Sequence, residues 1–251
     1  MCDSCNCGGD NGHEATIRRP GQGHHHDHGV KARKIMVEVD VLDKNNSQGA
    51  ANREFFAQQQ ILALNLVSSP GSGKTSILER TVRDLGHELS ISVIEGDQQT
   101  MRDAERIEAT GAAVVQVNTG TGCHLDAEMI HRALPQLNPA PHSLLFIENV
   151  GNLVCPALFD LGEAAKVVII SVTEGEDKPQ KYPHMFRAAS LCLINKIDLL
   201  PYLDFDVALC KELARQVNPD LIFFEVSAKS GAGLADWYEW LRRTFASSHH
   251  H

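Results

Sequence analysis

Ser68-Ser69-Pro70-Gly71-Ser72-Gly73-Lys74-Thr75 is the stretch on which the reading of this chain turns. It follows the apolar run Ile61-Leu62-Ala63-Leu64-Asn65-Leu66-Val67 and precedes Ile77, Leu78, Val82 and Leu85, which recur at helical spacing. The stretch therefore joins a buried strand to a helix. Small residues in such a turn let backbone N–H groups face phosphate oxygens, and the helix behind presents its positive N-terminal end. Lys74 is then placed to reach terminal phosphates, and the Thr75 hydroxyl to ligate Mg²⁺. Gly71, Ser72, Gly73, Lys74, Thr75 and Ser76 are the expected phosphate-binding residues. The general pattern opens with Gly where this chain has Ser68.

Downstream, apolar strand cores recur at Ile91-Ser92-Val93-Ile94, Ala113 to Val117, Leu144-Leu145-Phe146-Ile147, Val167 to Ile170, Leu191 to Ile194 and Leu221 to Phe224, most of them separated by helical stretches. This alternation predicts an α/β fold of the P-loop NTPase kind, a largely parallel sheet with helices on both faces. Ligands in such sheets sit at the carboxyl ends of strands. There the chain carries Glu95-Gly96-Asp97 and Glu148-Asn149-Val150-Gly151, acidic residues placed to hold Mg²⁺ and sense a terminal phosphate. Lys74, Asp97 and Glu148 are the expected catalytic group, with Thr75, Asp97 and Glu148 at the Mg²⁺.

Asn195-Lys196-Ile197-Asp198 ends a further strand. An Asp carboxylate accepts from both N1–H and the exocyclic amine of guanine, for which adenine has no matching donor pair. Ser227-Ala228-Lys229 follows the last strand, where a backbone N–H can meet guanine O6. The nucleotide expected is GTP, hydrolysed slowly to GDP and phosphate.

The 251 residues are 43% apolar, ample for a core, with a formal charge of -9 and no Lys/Arg-rich run, which argues against nucleic acid as a partner. No apolar segment approaches the ~20 residues that cross a bilayer, and the N-terminus lacks the basic-then-apolar order of a secretory signal. A cytoplasmic protein with no membrane partner is expected. Seven cysteines in a reducing compartment then read as metal or redox groups rather than disulfides.

Residues 1–29 are expected to form a flexible arm, rich in Cys, His and Gly and almost devoid of apolar side chains. Cys2, Cys5 and Cys7 make a soft donor set suited to planar Ni²⁺ or tetrahedral Zn²⁺, and the spacing leaves the choice open. His24, His25, His26 and His28 add accessory imidazoles. In the lead-in, residues 30–60, alternation of Ile35, Val37, Val39 and Val41 with polar residues predicts an edge strand or extended segment, followed by a helix anchored by Phe55 and Phe56. The GTPase domain is expected over 61–246, and residues 247–251 read as a tail carrying a tag remnant.

A second metal set is suggested by Cys123-His124, after the turn Asn118-Thr119-Gly120-Thr121-Gly122, together with Cys155, seven residues beyond Glu148. Metal affinity and nucleotide state would then be linked reciprocally. Cys192 and Cys210 read instead as buried apolar residues, and His87, His131, His142 and His184 as surface ones.

Cys2-x-x-Cys5-x-Cys7, the His-rich arm, Asn65 to Thr75, Glu148-Asn149-Val150-Gly151-Asn152-Leu153-Val154-Cys155-Pro156 and Lys178-Pro179-x-Lys181-Tyr182-Pro183 together span almost the whole chain. In them it resembles the HypB family, GTPases that take part in nickel insertion during [NiFe]-hydrogenase maturation. Ser68 matches that family, while Asn6 stands where it often has Gly. The resemblance implies a homodimer when GTP is bound, with interface metal held by Cys123, His124 and Cys155. It also implies HypA as partner metallochaperone and the hydrogenase large subunit as recipient. A urease-type nickel GTPase would lack the Cys-rich opening. A nickel store would not explain residues 61–229, and a partitioning-type ATPase needs an additional Lys early in the loop, where Ser69 and Pro70 stand.

Overall fold

A computed structural model describes residues 28–97 and 102–247, with side chains from Asp40 onward. Seven strands run β1 (Leu62–Ser68), β2 (Ile91–Asp97), β3 (Ala113–Asn118), β4 (Leu144–Glu148), β5 (Ala165–Ser171), β6 (Leu191–Asn195) and β7 (Ile222–Glu225). All neighbours pair in parallel, in the order β3-β2-β4-β1-β5-β6-β7. Every residue of β1 is buried, the consequence of covering a parallel sheet on both faces.

Alternation along each strand sorts the core. Leu62, Leu64 and Leu66 of β1, with Phe146 of β4 and Val93 of β2, pack under Ile77, Leu78 and Leu85 of α2 (Lys74–Leu85) and Trp237 and Leu241 of α8 (Leu234–Ser247). On the opposite face Ala63, Ile94, Leu145 and Ile147 pack on Phe56 of α1 (His28–Gln59) and on Ile130, Ala133 and Leu134 of α4 (Ala127–Leu137). Val67, Val168, Ile170 and Ile194 continue that face under Met185 and Phe186 of α6 (Pro183–Ala188) and Ala214 of α7 (Val207–Val217). The short α3 (Arg102–Glu108) and α5 (Lys178–Lys181) lie beside the strand ends that matter below. Cys192 and Cys210 are buried in the core, and His87, His131, His142 and His184 are exposed, as read from the sequence.

The lead-in corrects one expectation: the segment with alternating Ile35, Val37, Val39 and Val41 lies within α1, not in a strand. Its later turns are tied to the domain. Asn52 Nδ2 donates to Ala127 O at 2.8 Å and Leu161 O at 3.1 Å, and Asn45 donates to Asp160 O and accepts from Ala127 N. Gly49 admits the backbone of Asp160 where a Cβ would lie 2.8 Å from its carbonyl oxygen. With those turns anchored, each preceding residue extends the helix for one further hydrogen bond and no new nucleus, and the helix prevails over a two-residue pattern that has no strand to pair with. At the other end α8 continues through Ser247, one residue into the expected tail.

Candidate functional site

The phosphate loop leaves β1 at Ser68 and enters α2 at Lys74. Gly71 at φ 78 and Gly73 at φ 91 occupy left-handed conformations, which turn the chain so that the helix N-terminus faces the cleft. Lys74 Nζ donates to Glu148 Oε1 at 2.7 Å, and Thr75 Oγ1 donates to the same oxygen at 2.6 Å. The loop, with Ser76, Asp97, Gly151 and Lys196, walls a cavity of about 430 Å³.

Glu95, which the sequence offered with Gly96 and Asp97 as an acidic strand end but without a role of its own, also lines this cavity. It lies inside β2, in register with Glu148 on β4, and only 2% of it is exposed. Burial first, then the charges of Glu148 and Asp97, push its carboxyl up to about 8, against the opposing pull of Lys74 and Gln116. Among the described residues, Glu95 Oε2 and Glu148 Oε2 are buried without hydrogen-bond partners. Three carboxylates and the Thr75 hydroxyl thus converge around the Lys74–Glu148 pair, and hard oxygen donors with unsatisfied lone pairs fit Mg²⁺. Asp103 and Arg106 of α3 line the cavity as well.

The base-side residues come together at the adjoining end of the sheet. Asn195 Nδ2 donates to Ser72 O at 2.9 Å and Lys196 Nζ to Gly71 O at 2.7 Å, clamping the phosphate loop. Ser227 Oγ donates to Asp198 Oδ1 at 2.5 Å, and Ala228 N to Asn195 Oδ1 at 3.3 Å. Asn195, Lys196, Asp198, Ala228 and Lys229 line a cavity of about 230 Å³ that shares Gly73, Ser76 and Lys196 with the phosphate cavity. From the motif at residues 178–183, Lys178 Nζ reaches Ser69 Oγ at 2.9 Å and Glu174 Oε2 at 2.8 Å, while Glu174 Oε1 accepts from Ser72 Oγ at 2.5 Å. The sequence quoted Lys178 without a role and did not single out Glu174.

Cys123, His124 and Cys155 converge although 32 residues separate the two thiols: their sulfurs are 3.1 Å apart, and Cys123 Sγ is 3.6 Å from His124 Nδ1. The three ligand atoms lie within 4.8 Å of one another, close enough for donors at ~2.1–2.3 Å to share one ion. Burial lowers the His124 pKa and so favours the neutral imidazole that ligates metal, against the opposing charge of Asp126. The ring lies against Phe159, with centroids 3.9 Å apart and planes tilted by 34°. Cys2, Cys5, Cys7, His24, His25 and His26 lie outside the described residues, and His28 opens α1. No helix among the described residues is long and apolar enough to cross a membrane.

A phosphate loop at the central strand, acidic strand ends beside it and a base clamp from β6 define a P-loop nucleotide-binding protein. Residues 62–225 match the CobW/HypB/UreG nucleotide-binding domain. Within it the chain belongs to the family of hydrogenase maturation factor HypB. It is 61% identical over 209 residues to hydrogenase maturation factor HypB of Rhizobium leguminosarum bv. viciae, covering 83% of this chain and 70% of the relative. Among solved structures it is similar to HypB from Archaeoglobus fulgidus, with TM-score 0.76 and 39% identity, covering 81% of this chain and 99% of that one. It is also similar to HypB from Helicobacter pylori in complex with nickel, with TM-score 0.76 and 38% identity, covering 81% and 96%.

Proposed function

We propose that this chain is a slow GTPase that carries Ni²⁺ toward the [NiFe]-hydrogenase large subunit in the cytoplasm, receiving or passing metal with a HypA-type metallochaperone and dimerising when GTP is bound. The observation that carries the reading is the shared segment. Glu148, held by Lys74 and Thr75, begins the chain that runs through Asn152, whose Nδ2 donates to Cys123 O at 3.2 Å, to Cys155. Nickel in a complex of a relative of the same fold supports Ni²⁺ as cargo at Cys123, His124 and Cys155, and the same soft donors suit Zn²⁺.

In this mechanism GTP phosphates enter at the α2 N-terminus and compete with Glu148 for the Lys74 ammonium. Thr75, Asp97 and Glu148 would hold Mg²⁺, which supplies neutralisation of the charge shared by the outer phosphates. Gly71, Ser72, Gly73 and Ser76 orient the phosphates. Asn195 and Lys196 brace the loop, Asp198 reads the guanine edge with its carboxylate positioned by Ser227, and Ala228 and Lys229 close the base pocket. Asp97 positions the attacking water, giving GDP and phosphate. The loss of the outer phosphate returns Lys74 to Glu148 and shifts the segment that ends in Cys155, releasing the metal. Cys2, Cys5 and Cys7, with accessory His24, His25, His26 and His28, form the separate arm site.

The test is Ni²⁺ binding to tag-free protein with GDP or a non-hydrolysable GTP analogue, with mass in solution measured alongside. The expected result is that the GTP analogue raises both dimer population and Ni²⁺ affinity at the thiol site, and that Asp198→Asn relaxes guanine preference. Metal binding indifferent to nucleotide would refute the coupling, and unchanged guanine preference in the variant would refute the base assignment.

A further inference from the structure

Successive residues at a strand end point to opposite faces of a sheet, and the end of β4 uses both. Glu148 lies on the face under α2, against Lys74 and Thr75. Asn149, the next residue, is 1% exposed and turns to the other face, where its Oδ1 accepts from Leu125 N at 3.0 Å, directly after Cys123-His124. Its Nδ2 donates to Asn65 Oδ1 at 3.2 Å, and Asn65, fully buried in the middle of β1, donates to Glu163 Oε1 at 3.0 Å.

Glu163 lies 3.5 Å from Lys166 Nζ in an ion pair whose members are both more than nine-tenths buried. The Lys166 ammonium donates to Pro156 O at 2.9 Å, next to Cys155, and to Phe159 O at 3.1 Å, the residue whose ring lies against His124. A lysine without a phosphate or solvent to serve, buried so that it can hold two carbonyls of the metal-bearing turn, costs desolvation that an apolar residue would avoid. Core packing gives no reason to keep it there.

We infer that Asn149, Asn65, Glu163 and Lys166 form a buried relay that sets the position of Cys155 and His124 according to the state of Glu148. Lys166 is the positioning residue at its metal end. This deepens the proposed nucleotide–metal linkage and rests on it. A change in partner at Glu148 moves Asn149, whose two amide atoms hold the Cys123-His124 loop on one side and, through Asn65, the ion pair beneath Cys155-Pro156 on the other. The two thiols are thereby moved relative to each other from opposite flanks, the displacement that alters affinity for a shared ion.

The test uses the full chain with Cys2, Cys5 and Cys7 changed to Ser, so that thiolate-to-nickel charge-transfer absorption reports on Cys123 and Cys155. Ni²⁺ is titrated with GDP and with a non-hydrolysable GTP analogue, and the ratio of the two affinities is compared in the parent, Lys166→Met and the milder Glu163→Gln, which keeps the shape of the side chain. A coupled parent should show a ratio of about 5–150-fold. In the variants the ratio should fall to within about twofold of unity, with a displaced charge-transfer band, while analogue affinity measured without metal stays at the parent value. A merely structural role would lower both affinities and leave their ratio intact. A ratio unchanged in Glu163→Gln, or in Lys166→Met where it folds, overturns the relay alone. A parent ratio of one overturns the linkage and the relay with it.

Discussion

Glu95→Gln is the substitution whose effect can be worked most directly from the structure. The Glu95 carboxyl is raised from 4.5 to about 8 by burial and by Glu148 and Asp97. Between those limits the folded chain holds a proton that the unfolded chain has lost. Stability contributed by this group is therefore complete below the unfolded value and disappears as pH rises through the folded one, at up to about 1.4 kcal/mol per pH unit. Side-chain relaxation and water entry near two other carboxylates reduce the usable effect to about 2 kcal/mol between roughly pH 5.5 and 7.5. The glutamine side chain would keep the shape and carry no proton to lose. Urea unfolding of nucleotide-free protein in the presence of a chelator, at both pH values, should show the parent losing about 2 kcal/mol relative to the variant on going to the higher pH. Parallel pH dependences for the two proteins would refute the assignment of a proton to Glu95.

Asn52→Ala removes a side-chain donor that the structure places on both Ala127 O and Leu161 O, and should cost about 2 kcal/mol of unfolding free energy while nucleotide affinity is unchanged; a loss below about 0.5 kcal/mol would mean that α1 is not docked through this residue. Gly73→Ala adds a Cβ at φ 91 directly onto the Asn195 amide that holds Ser72 O. Nucleotide affinity, read with a fluorescent analogue, should fall by more than about tenfold, and affinity within about twofold of the parent would contradict the loop geometry.

What could be read from the sequence by itself was whatever depends on neighbours along the chain. The strand cores are runs of branched apolar residues bounded by turns, and Gly71, Gly73 and Lys74 carry their geometry and charge in a single short loop. Asn195 to Asp198 end a strand in the same local way. The alternation at 35–41 misled because the local pattern was outweighed by contacts of Asn45, Gly49 and Asn52 with residues near 127 and 160, far along the chain. Strand order and register were equally out of reach, and they decided the rest. Glu95 becomes a proton-holding acid only because β2 and β4 set it against Glu148. Cys123 meets Cys155 because the segments after β3 and β4 end on the same side of the sheet. Asn65, Glu163 and Lys166 read along the chain as scattered polar residues. Only folding β1 beside β5, with the parity of each strand choosing the face, joins them into one buried network, because a polar side chain shut away from water must find its partners in space rather than in sequence.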